Sequence, residues 1–257
     1  MKEQVGITNN QMTEKPAETS LTSGIMSAEQ ERINKLETET TAFWNQEKEE
    51  NEPEIKFKIA YSTHVGSKDL DFLKKDFDAC DIYVPEDVGW SIDSLHVYEQ
   101  VSSGAISPNT FKNLIKDDPY FGHIIGELEM LYESNKAVLF LDIPENHGLD
   151  VEATNLPEMS DTINLENLEE KIALAREIVT KFVIFQKKRE EYIFVQIPFR
   201  IKELLSRKPD LRRKKGLKVL ISLGDYHTAL FHMMYKANPN IVERSFAKMP
   251  HNFGFAA

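Results

Sequence analysis

The chain has 257 residues, of which 41% are hydrophobic, and a formal net charge of −11. This apolar content is enough for a substantial folded domain. No segment is apolar over the roughly 18 residues of a membrane span, and the N-terminal sequence lacks the apolar run of a secretion signal. We therefore expect a cytoplasmic protein with no membrane span. The single cysteine, Cys80, excludes an internal disulfide and a cysteine-rich zinc site.

The negative charge is concentrated in the N-terminal part of the sequence. Residues 1–54 hold 12 acidic residues against 5 Lys and Arg, whereas the remainder holds 30 against 26. A folded part near charge balance gives no general reason to expect a nucleic-acid partner. The basic run "RRKK", from Arg212 to Lys215, is interpreted as a solvated loop.

Residues 1–54 predict an acidic, largely disordered tail, because their composition is polar and poor in large apolar side chains. A helix is expected within it at 27–50, with Ser27 as the N-cap and a sparse apolar stripe. That stripe is a candidate surface for a partner, for a homo-oligomer contact, or for docking on the domain.

The remaining residues, 55–257, predict a single α/β domain with a central, mostly parallel sheet flanked by helices. The C-terminus lacks a terminating element, so a longer parent chain is expected. The strand of 217–224 and the helix of 227–236 are expected to be the last elements. In chain order the predicted elements are a strand at 55–62, a helix at 67–80, a strand at 81–86, broken helices over 94–135, a strand at 136–146, a helix at about 165–205, the strand at 217–224 and the helix at 227–236.

Side chains suited to chemistry follow all four predicted strands at their carboxyl ends. In open α/β sheets, ligand sites form there because side chains from neighbouring strands converge. Histidines and carboxylates in this position suit a divalent metal or general acid–base work on a bound water. Taken singly, each residue also fits a helix cap or a turn. The residues are His64, Glu86, Asp142, Glu145, His147 and His227.

Common catalytic motifs are missing from the sequence. There is no GxSxG nucleophile turn, no HExxH zinc motif, and no glycine spacing of a Walker or Rossmann loop. Nucleotide hydrolysis and serine-nucleophile chemistry are therefore disfavoured.

Four segments resemble one superfamily in the order in which they occur. "LISLGDYH", a late strand followed by Gly-x-x-His, resembles the second GxxH motif of the superfamily that contains the erythromycin esterases, the TraB/PrgY pheromone-shutdown proteins, the Tiki proteases and the ChaN haem-uptake proteins. "YSTHVGS" stands at the first GxxH motif, with Tyr61 in the glycine position. "DIYVPED" matches a strand that ends in a glutamate, and "KKREEY" resembles the arginine-bearing segment.

The resemblance implies an α/β domain whose site contains His64, Glu86, Arg189 and His227. Arg176 and Arg200 are alternative counterparts of the family arginine. The members of this superfamily hydrolyse esters, cleave peptides with a metal, or bind haem. The resemblance therefore implies a candidate divalent-metal set of His64, Glu86 and His227, with haem as the less favoured cofactor. Strand-end placement leaves Asp142, Glu145 and His147 as secondary candidates.

The leading hypothesis is a hydrolase of a small-molecule or peptide substrate, with or without a metal. In it, Glu86 and one histidine activate water, while the second histidine and Arg189 stabilise the transition state. One alternative is a non-enzymatic protein that binds haem or another small molecule. The other is an inactive interaction protein, for which Tyr61 in the glycine position of the first motif is the argument.

Overall fold

The structure is a computed structural model that describes residues 35, 37–47, 52–62, 67–112, 119–157, 162, 165–224 and 227–246. It divides the chain into two units, Met1–Glu39 and Thr40–Ala257. The described residues of the first unit are helical. The second unit contains the sheet and every element labelled below.

A five-stranded, all-parallel sheet forms the centre of the second unit, in the strand order β3-β2-β4-β1-β5. The strands β1 and β4 pair along their whole length, from Glu54 opposite Gly216 to Ser62 opposite Gly224. The predicted sheet class is therefore confirmed. The strands are β1 (Glu54–Ser62), β2 (Ile82–Val84), β3 (Ala137–Val138), β4 (Gly216–Gly224) and β5 (Val242–Phe246).

Helices cover both faces of this sheet, as the sequence predicted. They are α1 (Ser67–Ala79), α2 (Ile92–Ser102), α3 (Asn109–Lys112), α4 (Pro119–Leu131), α5 (Gly148–Thr154), α6 (Leu168–Arg207), α7 (Pro209–Arg212) and α8 (Thr228–Ala237).

The longest helix, α6, spans 40 residues and is capped by Asn167, whose side chain accepts a hydrogen bond from the Glu169 amide at 2.8 Å. The predicted helix at about 165–205 is thus confirmed to within a few residues. None of the helices in the described ranges combines the length and apolar character needed to cross a membrane.

Two strands differ from the sequence prediction. The strand of 217–224 is not the last one, because β5 follows α8 and pairs with β1 at the sheet edge. Only its first residue, Val242, is buried, so an edge strand of this kind shows little apolar periodicity.

The run at 136–146 forms a ladder over two residues alone, although Leu139, Phe140 and Leu141 beyond it are buried. Burial requires apolar side chains but not strand pairing.

Each face of the sheet packs against its own helical layer. On one face, Phe57, Ile59 and Val219 contact α6 and α8 through Ile197 and Leu230. On the other face, apolar side chains of the sheet pack against α1, α2 and α4. The result is a three-layer arrangement that leaves the carboxyl edge of the strands for a site.

The core begins before the predicted domain start at residue 55. Trp44 is 3% exposed and stacks on Phe194, with ring centroids 5.1 Å apart. Its ring also lies 5.6 Å from that of Phe57, and its carbonyl accepts a hydrogen bond from Asn238. The residues around Trp44 therefore belong to the folded domain.

Replacing Trp44 with alanine removes this ring and leaves a cavity between α6 and the sheet. We expect Trp44→Ala to lower the free energy of unfolding by about 3 to 5 kcal/mol. Urea unfolding followed by circular dichroism measures it. Val195→Ala, at a side chain that is 46% exposed on the same helix, is the control and should change stability little. Equal small effects in both variants would show that Trp44 is not part of the core.

Candidate active site

Four predicted residues meet at the carboxyl edge of the sheet. Glu86 follows β2, Asp142 follows β3 and His227 follows β4, while Arg189 comes from α6. The parallel strands bring the first three to the same edge, and α6 crosses this edge with its apolar face against the sheet. We call these four residues the Arg189 cluster.

Arg189 is the centre of the cluster and is 3% exposed. Its Nε donates to Asp142 Oδ1 at 2.8 Å, and its Nη2 donates to both Asp142 Oδ2 and Glu86 Oε1, the latter at 2.8 Å. Burial alone lowers the pKa of the guanidinium. The hydrogen bonds and charges of Asp142 and Glu86 outweigh burial and hold this pKa above its ordinary value.

His227 closes a triangle with Arg189 and Glu86. Its Nε2 lies 3.0 Å from Arg189 Nη1 and 3.1 Å from Glu86 Oε1, and the residue is 2% exposed. Arginine can only donate, so Nε2 must accept from it, whereas an ionised carboxylate can only accept, so the same Nε2 must donate to it. When the His227 proton is on Nδ1, Nε2 accepts from Arg189, and its approach to Glu86 Oε1 is then a contact between two acceptors. The triangle therefore places two potential proton acceptors beside a fixed cation.

Backbone groups fix the positions of Glu86 and His227. The amide of Gly224, the last residue of β4, donates to Glu86 Oε2 at 2.5 Å. The Tyr61 hydroxyl donates to the His227 carbonyl at 2.7 Å, and burial raises the pKa of this tyrosine. Tyr61, which stands at the glycine position of the motif that the sequence resembles, thus holds the backbone at His227.

Asp142 is anchored on its own side of the cluster. Its Oδ1 accepts from the Ile143 amide at 2.8 Å, and its carbonyl accepts from the Trp90 indole at 2.6 Å. A carboxylate held in this way keeps Arg189 from turning toward solvent. Asp142 therefore serves as the positioning partner of Arg189.

Glu190 lies beside the Arg189 cluster, although the sequence prediction did not include it. It is 2% exposed, its Oε2 accepts from the Leu230 amide in the first turn of α8, and its Oε1 lies 3.7 Å from His227 Nδ1. Burial raises its pKa, while the α8 amide and His227 oppose the rise. The sequence marks Glu190 by its place on the apolar face of α6, three residues before Ile193, but does not identify its partner.

Asp87 lies beside the cluster in the chain segment after β2. Burial, with the neighbouring carboxylates Asp142 and Glu127, raises its pKa to about 6, and Arg189 only partly offsets this rise. Because their pKa values are raised, Asp87 and Glu190 take up protons at a higher pH than isolated carboxyls do.

Two secondary candidates lie outside the cluster and have local structural roles. His147 caps α5, where its Nδ1 accepts from the Leu149 amide at 3.2 Å. The side chain of Glu145 is exposed, and its amide donates to the Trp90 carbonyl. These are the cap and turn roles that each residue also fitted from sequence alone.

The alternative arginines do not take the place of Arg189. Arg176 is exposed on the first half of α6. Arg200 lies over the Trp90 ring at 4.7 Å and pairs with Glu203 at 2.8 Å. His64, the remaining predicted site residue, lies outside the described residues.

Two residues of the predicted metal set, Glu86 and His227, are described by the structure, and both contact Arg189. Glu86 and His227 present their facing atoms to the same guanidinium, so a positive charge already lies between them. Within the described ranges, no group of three His, Cys, Asp or Glu side chains is arranged to hold a metal ion. In this arrangement Glu86 Oε1 and His227 Nε2 are both engaged by Arg189, and the divalent metal and the haem stay predictions.

Comparisons with known proteins gave no match: no family model, curated protein or solved structure matches this chain.

Removing Asp142 leaves the buried Arg189 short of its main counter-charge. We expect Asp142→Ala to lower the free energy of unfolding by about 3 to 5 kcal/mol, because an unpaired buried charge is costly. Chemical denaturation measures it, with Glu145→Ala as the control at an exposed carboxylate of the same loop. A loss no larger than that of the control would contradict the pairing.

Asp87 is expected to make stability depend on pH. The folded protein keeps the Asp87 proton up to about pH 6, whereas an unfolded aspartate releases it near pH 4. The wild type should therefore lose stability, relative to Asp87→Asn, as pH rises through this window. Urea unfolding of both proteins from about pH 4 to pH 7 tests it. A constant difference between the two proteins, or one of opposite slope, would count against the raised pKa.

Proposed function

We propose that this protein is a hydrolase of ester or peptide bonds that activates water with the Glu86–His227 pair and stabilises the resulting oxyanion with Arg189. The observation that carries the proposal is the triangle of Arg189, His227 and Glu86. Its three contacts, of 3.0, 3.1 and 2.8 Å, join residues far apart in sequence at the edge where α/β enzymes place their sites. The motif resemblance to the erythromycin esterase, TraB and Tiki superfamily supports the same class.

The chemistry follows from two proton acceptors, Glu86 and His227, that lie beside the guanidinium of Arg189. A water next to the pair gives a proton to Glu86 or His227, and its oxygen adds to the carbonyl carbon of the substrate. The negative charge that develops on the carbonyl oxygen is stabilised by the guanidinium of Arg189. The proton then passes to the leaving alcohol or amine as the carbon–oxygen or carbon–nitrogen bond breaks. The products are a carboxylic acid and an alcohol or amine.

We propose the metal-independent form of this reaction. Arg189 already supplies a positive charge at both Glu86 Oε1 and His227 Nε2. Asp142 fixes the guanidinium, and Glu190 lies on the opposite side of the His227 ring, where it favours a proton on Nδ1. Both are positioning residues rather than groups that touch the substrate.

A non-enzymatic role is the second candidate, and it also has a specific observation in its favour. Arg189 is bound to two carboxylates of the protein, and Glu86 is bound to the Gly224 amide. A buried ion-pair network of this kind can serve structure alone. In that role the chain would be an interaction protein whose site does not turn over substrate.

Glu86→Gln separates these two functions, because it keeps the size of the side chain and removes its charge. We expect kcat for ester or peptide hydrolysis to fall at least about 100-fold, the usual range for a lost acid–base group. A panel of activated esters and labelled peptides, assayed with purified protein, measures it. Glu145→Gln, at the exposed carboxylate of the neighbouring loop, should retain full activity.

The contrary results are equally specific. Hydrolysis that persists in Glu86→Gln would remove Glu86 from the mechanism. A wild-type protein inactive across the panel, with Glu86→Gln markedly less stable than Glu145→Gln, would favour the structural ion-pair role.

A further inference from the structure

Arg244 is a second arginine on the side of the sheet from which α6 brings Arg189. It lies on β5, where its backbone pairs in register with Ile59 of β1. Residues paired in register on neighbouring strands share a face of the sheet. Because Ile59 packs in the core beneath α6 and α8, Arg244 also points to the side that these helices cover.

Two aromatic rings hold the guanidinium of Arg244. Its Cζ lies 4.4 Å from the ring centre of Phe231, on α8, and 5.4 Å from that of Phe246, on β5. A cation–π contact of this kind engages the charge of the guanidinium but provides no acceptor for its five N–H groups. Arg244 is thus held in place while its hydrogen-bond donors still need acceptors.

Arg244 has no acidic partner within the described residues. Over these ranges its guanidinium forms no ion pair and no hydrogen bond, and the residue is exposed. Arg189, in contrast, is bound by two carboxylates of the protein. An exposed guanidinium that is held by rings and keeps its donors unused is suited to a planar oxygen anion, which it binds through two parallel hydrogen bonds.

The rings beside Arg244 connect it with His227. Phe246 stacks on Tyr61 of β1, with ring centroids 5.1 Å apart, and the Tyr61 hydroxyl donates to the His227 carbonyl at 2.7 Å. The charge of Arg244 lowers the pKa of Tyr61, and the charge of Glu190 raises it. Arg244 and the Arg189 cluster therefore lie near the same tyrosine, which links them through the core.

The strand order gives the scale of a ligand that reaches both places. His227 follows β4 and Arg244 belongs to β5, and these strands are the two neighbours of β1. Their axes are therefore about 10 Å apart. Beside Arg244, the ring of Phe246 is 49% exposed and offers apolar surface to a hydrocarbon chain. A ligand with an acid group on the order of 10 Å from its scissile carbonyl matches this spacing.

We propose that Arg244 binds a carboxylate at the far end of the substrate, so that the substrate class is esters or amides whose acyl chain ends in a second acid group. This inference rests on the proposed hydrolysis, because it assigns a substrate class to the same site. A carboxylate is favoured over a phosphate, since one guanidinium matches a single negative charge and a phosphate monoester carries nearly two.

Two nitrophenyl esters with acyl chains of equal length test the proposal. The nitrophenyl monoester of suberic acid keeps a free carboxylate at its far end, whereas nitrophenyl octanoate ends in a methyl group. Arg244→Gln should lower kcat/KM for the suberic ester about tenfold, the low end for a charged hydrogen bond, because Arg244 is exposed. The octanoate ester should be unaffected. The loss should appear in KM, since a remote group is bound equally in the ground state and the transition state.

Two further variants serve as controls. Arg244→Lys keeps the charge but not the pair of parallel donors, so it should recover only part of the loss. Arg213→Gln makes the same chemical change at a side chain that is 80% exposed before the start of β4, at the other end of the sheet. It should change the kinetics of neither ester. Thermal unfolding by circular dichroism checks that every variant is folded.

Isothermal titration calorimetry with the full chain gives a readout that needs no turnover. Suberate and octanoate are the probes, since they share a chain length and differ only in the remote carboxylate. The dissociation constant of suberate should rise about tenfold in Arg244→Gln, for the same reason as KM, and that of octanoate should stay unchanged.

The outcomes separate this inference from the proposed function. If both esters are hydrolysed and Arg244→Gln affects them equally, the carboxylate site is wrong while the hydrolysis stands. If the wild type hydrolyses neither ester, the result counts against the proposed function, and calorimetry then decides the role of Arg244. Weaker suberate binding in Arg244→Gln would support the carboxylate site, whereas equal binding, or none in either protein, would overturn it.

Discussion

The buried guanidinium of Arg189 is the interaction on which the rest of the site depends. A cation that is 3% exposed is tolerated only when carboxylates and hydrogen bonds replace the water that it has lost. Asp142 and Glu86 supply these contacts from two different strand ends, and His227 adds a third from β4. The strand order that makes β2 a neighbour of both β3 and β4 is what brings these three loops to one point.

Helix α6 couples the fold to the site. Its second half buries Ile193 and Ile197 on the sheet. This packing fixes the position of α6 along its axis, and so it places Arg189 and Glu190 at the strand ends. The two charged residues are adjacent in sequence, yet they serve different partners: Arg189 contacts the loops after β2 and β3, and Glu190 contacts the first turn of α8. A shift of α6 by one turn would disconnect both. The apolar packing of the helix therefore determines the geometry of the polar cluster.

Sequence reasoning reached the sheet class, the long helix and three of the clustered residues, because those follow from strong patterns. Alternating strands and helices identify the layers, and strand ends identify Glu86, Asp142 and His227. The motif resemblance, not periodicity, selected Arg189 among the arginines of α6. Strand β5 was missed because an exposed edge strand needs few apolar residues. Glu190 was missed because a carboxylate on an apolar helix face is recognised only once its partner, the start of α8, is known.

The balance of charge in the cluster bears on the proposed hydrolysis. Each further buried carboxylate beside Arg189 adds a desolvation cost, so several carboxylates around one cation are costly to fold. Here Glu86 and Asp142 lie within the cluster, and Glu190 and Asp87 lie beside it, so carboxylates outnumber the cation. Burial raises the pKa of Asp87 and Glu190, which means that the cluster keeps protons that isolated carboxylates would release at the same pH. Groups with shifted pKa values, gathered around one fixed cation, are typical of sites that transfer protons.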